Sequence, residues 1–198
     1  MPTGNIEKLV SCFSRFPGMG NRAALRIVLH LLKKKQTVMG SFMKVLQDVY
    51  DNSKICEICG NFDFKTPCSI CSDNKREDSV ICVVADISDL WSIEQADFFR
   101  GKYHLLGNKL SAINGITPDD LNIEGLYNRI KSLNKIEEII IATSADLDGQ
   151  TTVFFINDKI KDLGVKITTL SHGVPIGSEL EYLDNGTIIA AFSQRRNV

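Results

Sequence analysis

Four cysteines constrain this chain more than any other feature. Cys56-Glu-Ile-Cys59 and Cys68-Ser-Ile-Cys71 form two C-x2-C pairs separated by eight residues, a spacing that lets two short knuckles bring four thiolates to the corners of one tetrahedron. A redox dithiol needs one such pair in a strand-helix-strand setting, whereas these two pairs flank a stretch containing Gly60 and Asn61. The pattern predicts one zinc ion per chain, held by Cys56, Cys59, Cys68 and Cys71. An all-thiolate set leaves no open position for water, so the site is expected to be structural, folding a segment too small to hold itself together. Phe62 and Phe64 are expected to pack against it. Cys12 and Cys82 lie in apolar runs and read as small buried residues.

The metal reading fits the expected compartment. No N-terminal stretch has the order of a signal peptide and no apolar run is long enough to span a bilayer, which predicts a cytoplasmic protein with reduced cysteines. Hydrophobic residues make up 43% of 198, enough for one good core or two small ones. The net charge of −1 argues against a surface that coats nucleic acid everywhere, but the charge is unevenly distributed. Residues 1–35 hold seven Lys or Arg against the single acid Glu7, a local +6 that leaves −7 for the rest. One end suits phosphates; the acidic body suits something else.

Ile6, Leu9, Val10 and Phe13 make a helical apolar stripe that Pro17 ends. After Gly18-Met19-Gly20, Asn21 reads as the N-cap of a second, largely buried helix bearing Ala24, Ile27, Val28 and Leu31, with Leu25, Leu29 and Leu32 widening the stripe. Glycines at such a corner let backbone N–H groups approach a phosphate at the positive end of the next helix. Arg22 and Arg26 lie one turn apart on one face and can grip neighbouring phosphates. An αα-hairpin whose glycines merely turn the chain is the alternative, and the local charge favours DNA, bound through its backbone with little sequence preference. Lys33-Lys34-Lys35 reads as a solvated helix end. A third helix over 37–50, with Phe42, Val45, Leu46 and Val49 in register, is expected to close this domain.

Beyond residue 80, apolar runs at 80–85, 103–106, 139–143 and 165–170 read as strands. Segments 90–98, 123–133 and 152–163 read as helices, the last stopped by Gly164. Their alternation predicts an α/β fold with a mostly parallel sheet, whose ligand-facing loops lie at the strands' carboxyl ends. One such loop carries Asp146-Leu147-Asp148-Gly149, two acids that can hold hydrated Mg²⁺ or simply be loop residues. The stretch Gly173-Val-Pro-Ile-Gly177-Ser178 lacks the Gly-Lys-Ser/Thr ending of a phosphate loop, which excludes NTP binding as its main role. Asn185-Gly186 reads as a turn into a last strand at 187–192, followed by the basic tail Arg195-Arg196.

Taken as a set, Phe16-Pro-Gly-Met-Gly20, the four cysteines, Ile81-Cys-Val-Val84, Ser92-Ile-Glu-Gln95, Gly115-Ile-Thr-Pro-Asp-Asp120 and His172-Gly-Val-Pro-Ile-Gly177 resemble the bacterial RecR family over nearly the whole chain. The resemblance implies a helix-hairpin-helix domain (1–52), a zinc module (53–76), a Toprim α/β domain (77–172) and a C-terminal oligomerisation segment (173–198). It further implies a non-enzymatic, ring-shaped DNA clamp, a dimer or tetramer, on single-stranded, gapped or double-stranded DNA. With RecO and RecF such a clamp helps load RecA on DNA coated by single-strand-binding protein. The family's DNA contacts map to Arg22 and Arg26 beside Gly18 and Gly20, and its acidic face, associated with partner docking, to Asp146 and Asp148. The glutamate that follows the first Toprim strand in the family is Ala85 here, with Asp86 one position later, where a side chain points to the opposite face. The rival reading is a Mg²⁺-dependent Toprim nuclease, primase or topoisomerase. Ala85 removes its general acid/base, and Tyr103, Tyr127 and Tyr182 lack a nucleophile context.

Overall fold

The structure, a computed structural model, describes residues 4–133, 135–171 and 173–195. His172 and Arg196, singled out above, lie outside the described residues. The chain divides into two compact units, Met1–Ser53 and Lys54–Val198.

In the first unit, helices α1 (Asn5–Ser14) and α2 (Asn21–Lys33) pack together, and a π-helical turn, Lys35–Met39, leads into α3 (Gly40–Asn52). Gly18 makes the corner at φ +73°, where a side chain would be strained. Burial is narrower than the sequence suggests. Only Ala24, Val28 and Leu31 of α2 are buried, while Leu29 is half exposed, because a single partner helix covers only part of α2's circumference. Helix α3 does not close the domain. Phe42, Val45, Leu46 and Val49 form the expected stripe, yet all are exposed and α3 buries nothing. Cys12, expected inside, is also exposed, since α1 likewise has no buried residue.

The second unit is built on a four-stranded parallel sheet: β3 (Val80–Val84), β4 (Lys102–Leu105), β5 (Glu138–Ala142) and β6 (Lys166–Thr169), in the order β4-β3-β5-β6. Strand β3 is apolar throughout because it is central and covered on both faces. Its alternation sorts the two cores. Ile81 and Val83, with Ile139 and Ile141 of β5, meet α6 (Ile123–Leu133) and α7 (Leu147–Ile160) through Leu126, Ile130, Ile156 and Ile160. Cys82 and Val84 face the other way, toward Leu90 of α5 (Ile87–Gln95), Tyr103 and the cysteine module. Cys82 is buried as expected. Gly164, left-handed at φ +70°, ends the helical run after α7 as its position suggests.

The cysteine module comprises the short antiparallel pair β1 (Lys54–Ile55) and β2 (Phe62–Asp63) and the single turn α4 (Ser69–Ser72). Phe62 and Phe64 are 50% and 55% exposed and do not pack on the cysteines; Leu90, Tyr103 and Ala142 do so instead. The predicted last strand is a helix, α8 (Asn185–Ser193). Asp184 accepts from the Thr187 backbone and hydroxyl, so Asn185-Gly186 opens a capped first turn rather than a hairpin.

Candidate nucleic-acid interface and metal centre

Three groups of residues are able to meet a ligand, and each is positioned differently. At the glycine corner, α2 is capped by Gly20, not by Asn21, which is the first helical residue. Gly20 has no side chain to accept the first N–H groups of α2, so these donors face outward with the helix dipole behind them. A Cβ added at Gly20 would touch nothing within 4 Å, and its φ of −80° is open to any residue. Among the described residues nothing requires glycine there, and the bare backbone leaves room for an external group to come close. Arg22 and Arg26 are exposed. Among the described residues, no ion pair engages them or Arg15.

The four cysteine sulfurs lie within 4.8 Å of one another, and Cys59 and Cys68 Sγ are 3.6 Å apart. A zinc–sulfur bond of about 2.3 Å implies a tetrahedron edge of about 3.8 Å, so the set fits zinc. The knuckles also donate inward: Cys68 N–H to Cys56 Sγ at 3.3 Å and Cys71 N–H to Cys68 Sγ at 3.4 Å. Burial raises the Cys56 thiol, but the N–H groups of Cys68, Cys59 and Ile58 outweigh it and bring the pKa down to about 7. The Cys59 thiol is pushed up by its hydrogen bond with Cys71 and by burial, and Cys68, mainly by burial, to about 11. Four crowded thiols resist joint ionisation; a divalent cation would deprotonate them as ligands.

At the carboxyl end of β5, Asp146 is the N-cap of α7, accepting from Gly149 N at 2.7 Å. The helix thus begins five residues earlier than its apolar pattern suggests, and Asp148 sits in its first turn rather than on a shared loop with Asp146. The other Asp146 oxygen receives Lys109 Nζ at 2.6 Å, and Lys109 also donates to Ser144 Oγ at 2.7 Å. Lys109, Gly149 and Ser144 together hold the Asp146 carboxyl at about 2, below the usual range. Asp86 is the N-cap of α5, in a capping box with Asp89, while Ala85 is buried. Among the described residues, the cysteine set is the one cluster of three or more metal-capable side chains found within ligating reach. Lys109 has no signal in the sequence, because its partner is 37 positions away.

Comparison with known proteins shows the family. The helix-hairpin-helix model of RecR matches residues 6–50, the Toprim domain model 79–171 and the RecR C-terminal model 173–196. The Recombination protein RecR of Agrobacterium fabrum is 47% identical over 193 residues, covering 98% of this chain and 96% of the relative. Those of Rhizobium etli strain CIAT 652 and Bartonella henselae are 50% and 47% identical, covering 96% and 98% of this chain and 94% and 96% of theirs.

Proposed function

Since the chain belongs to the RecR family of recombination proteins, we propose that it is a non-enzymatic, DNA-binding mediator of recombinational repair. The observation that carries this reading is the start of α2, which has no side-chain cap, beside two exposed arginines that form no ion pair among the described residues. Free N–H groups and guanidinium groups meet phosphates without reading bases, so the contact suits single-stranded, gapped and double-stranded DNA alike. Gly18 shapes the corner, Gly20 opens it, and Arg22 and Arg26 hold adjacent phosphates.

The chain works as a homo-oligomeric ring, a dimer or tetramer closed around DNA. Two uncovered apolar surfaces support self-association: the α3 stripe in the first unit, and Ile176, Leu180, Ile189 and Phe192 in the C-terminal segment of the second. Cys56, Cys59, Cys68 and Cys71 hold one structural zinc, which supplies a covalent-strength cross-link between the two knuckles. Asp146 and Asp148 serve partner docking, with RecO and RecF as the expected partners in delivering RecA to DNA coated by single-strand-binding protein. The pairing of Asp146 with Lys109 supports docking over Mg²⁺ chemistry, because the carboxylate already has an internal cation. No described helix is long and apolar enough to cross a membrane.

Binding of labelled gapped DNA by the full chain, with and without the RecO partner, tests the proposal in the presence of Mg²⁺. Bound, intact DNA is the expected result. DNA turnover abolished by Asp146→Ala would replace the mediator with the Toprim enzyme.

A further inference from the structure

Two cations on the sheet side of the cysteine module remain without a role in DNA binding. Lys102, on edge strand β4, is 5% exposed, and its Nζ donates to the carbonyls of Ile70 (3.0 Å), Cys71 (3.1 Å) and Asp73 (2.7 Å). All three ammonium protons therefore go to the backbone of the second knuckle. Its nearest carboxylate, Asp78 at 3.8 Å, is held more closely by Lys135 at 2.6 Å. Arg129, on α6, donates through Nη1 to Tyr103 O at 2.6 Å, while its buried Nε has no partner. Among the described residues, no carboxylate forms an ion pair with Arg129.

A guanidinium withdrawn from water is strongly disfavoured without a counter-charge. Burial presses Arg129 toward its neutral form, and the groups able to carry negative charge that line the same cavity are Cys71, Asp78 and Glu57. Four thiolates around a divalent ion carry a surplus of two negative charges, which two nearby cations match. Cys71, the least buried of the four, shares a cavity of about 510 Å³ with Lys102, His104 and Arg129.

We propose that Arg129 and Lys102 are positioning residues for the zinc: Arg129 balances the tetrathiolate charge and Lys102 clamps the backbone that presents Cys68 and Cys71. The sheet thereby sets the metal affinity of the module. This rests on the zinc reading above. Outer-shell partners of this kind typically change metal affinity by about 10–100-fold.

The test is zinc affinity of the full chain, measured by competition with a chromogenic chelator after metal analysis of the unmodified protein. Arg129→Gln and Lys102→Met should each weaken zinc binding by about tenfold or more. Arg129→Lys, which keeps the charge, should recover most of the loss, and Lys159→Gln, which removes a surface cation, should change nothing. If Arg129→Gln does not fold, Arg129→Lys alone decides: a loss as large as that of Lys102→Met would overturn the charge role. Unchanged affinity in both Arg129→Gln and Lys102→Met would overturn the proposal. An unmodified chain without zinc would instead sink the zinc reading itself, a separate failure.

Discussion

The two units use positive charge in opposite ways. In Met1–Ser53 the cations Arg15, Arg22 and Arg26 are exposed and, among the described residues, form no ion pair with an acid. In Lys54–Val198 several cations are instead enclosed or paired: Arg76 with Glu94 at 2.5 Å, Lys102 with three carbonyls, Lys109 with Asp146, Lys135 with Asp78, while Lys54, Lys65, Lys75 and Lys131 stay exposed. Free charge is available to a polyanion, whereas paired charge fixes loops and knuckles to a sheet. The difference teaches that residue type alone does not mark a binding site; what each cation already holds decides it.

The largest effect that could break this comparison is metal loss. If the cysteine set holds the proposed zinc, metal removal or Cys56→Ser should remove a cross-link whose binding free energy is on the order of 10 kcal/mol in small zinc modules. Because Leu105 N–H donates to Cys59 O at 2.8 Å, and Tyr103 packs with the cysteines, the loss should spread from 54–72 into β4. Hydrogen exchange should show both regions losing protection while α1 and α2 keep theirs. Loss confined to the knuckles would mean that the metal does not anchor the sheet.

A smaller effect is expected at α3. Leu46 is 57% exposed, so Leu46→Glu should leave a single chain's melting nearly unchanged. If the stripe is an interface between copies, self-association should weaken by about tenfold or more, since a charge would be buried at its centre. Sedimentation over a concentration series measures this. An unaltered profile would remove α3 from the oligomer.

The smallest effect concerns Lys109. The Asp146 carboxyl is depressed to about 2, so the pair stabilises the fold above the ordinary carboxylate range and loses that contribution as pH falls toward 2. Lys109→Ala should raise the Asp146 pKa in an NMR titration and cost about 0.2–1 kcal/mol, because the pair is largely solvent-exposed. No movement of the pKa would show that Gly149 and Ser144 hold the carboxylate without Lys109.

Much of this was legible in the residues. The cysteine spacing announced the four-sulfur cluster, and the apolar runs at 80–85 and 139–143 announced the central strands, because both signals are local. The order of the sheet was not legible, nor was the clamp of Lys102 on Ile70, Cys71 and Asp73, which joins residues 29 to 32 positions apart that only the fold brings together. The segment 187–192 misled because Ile188, Ile189 and Phe192 suit strand and helix alike, and the Asp184 cap decided it. Nor could periodicity tell that the α3 stripe is not covered by α1 or α2 of its own unit. A stripe states that burial is wanted, not who provides it.

The salt dependence of DNA affinity tests the central claim most directly. Affinity for one DNA should be measured across a salt series for the unmodified chain and for the Arg22→Ala/Arg26→Ala double variant. Each lost phosphate contact should lower the slope of log affinity against log salt by about one, so a drop of about two is expected, with equal weakening for unrelated sequences. An unchanged slope in a folded double variant would place the DNA contact elsewhere and contradict the account.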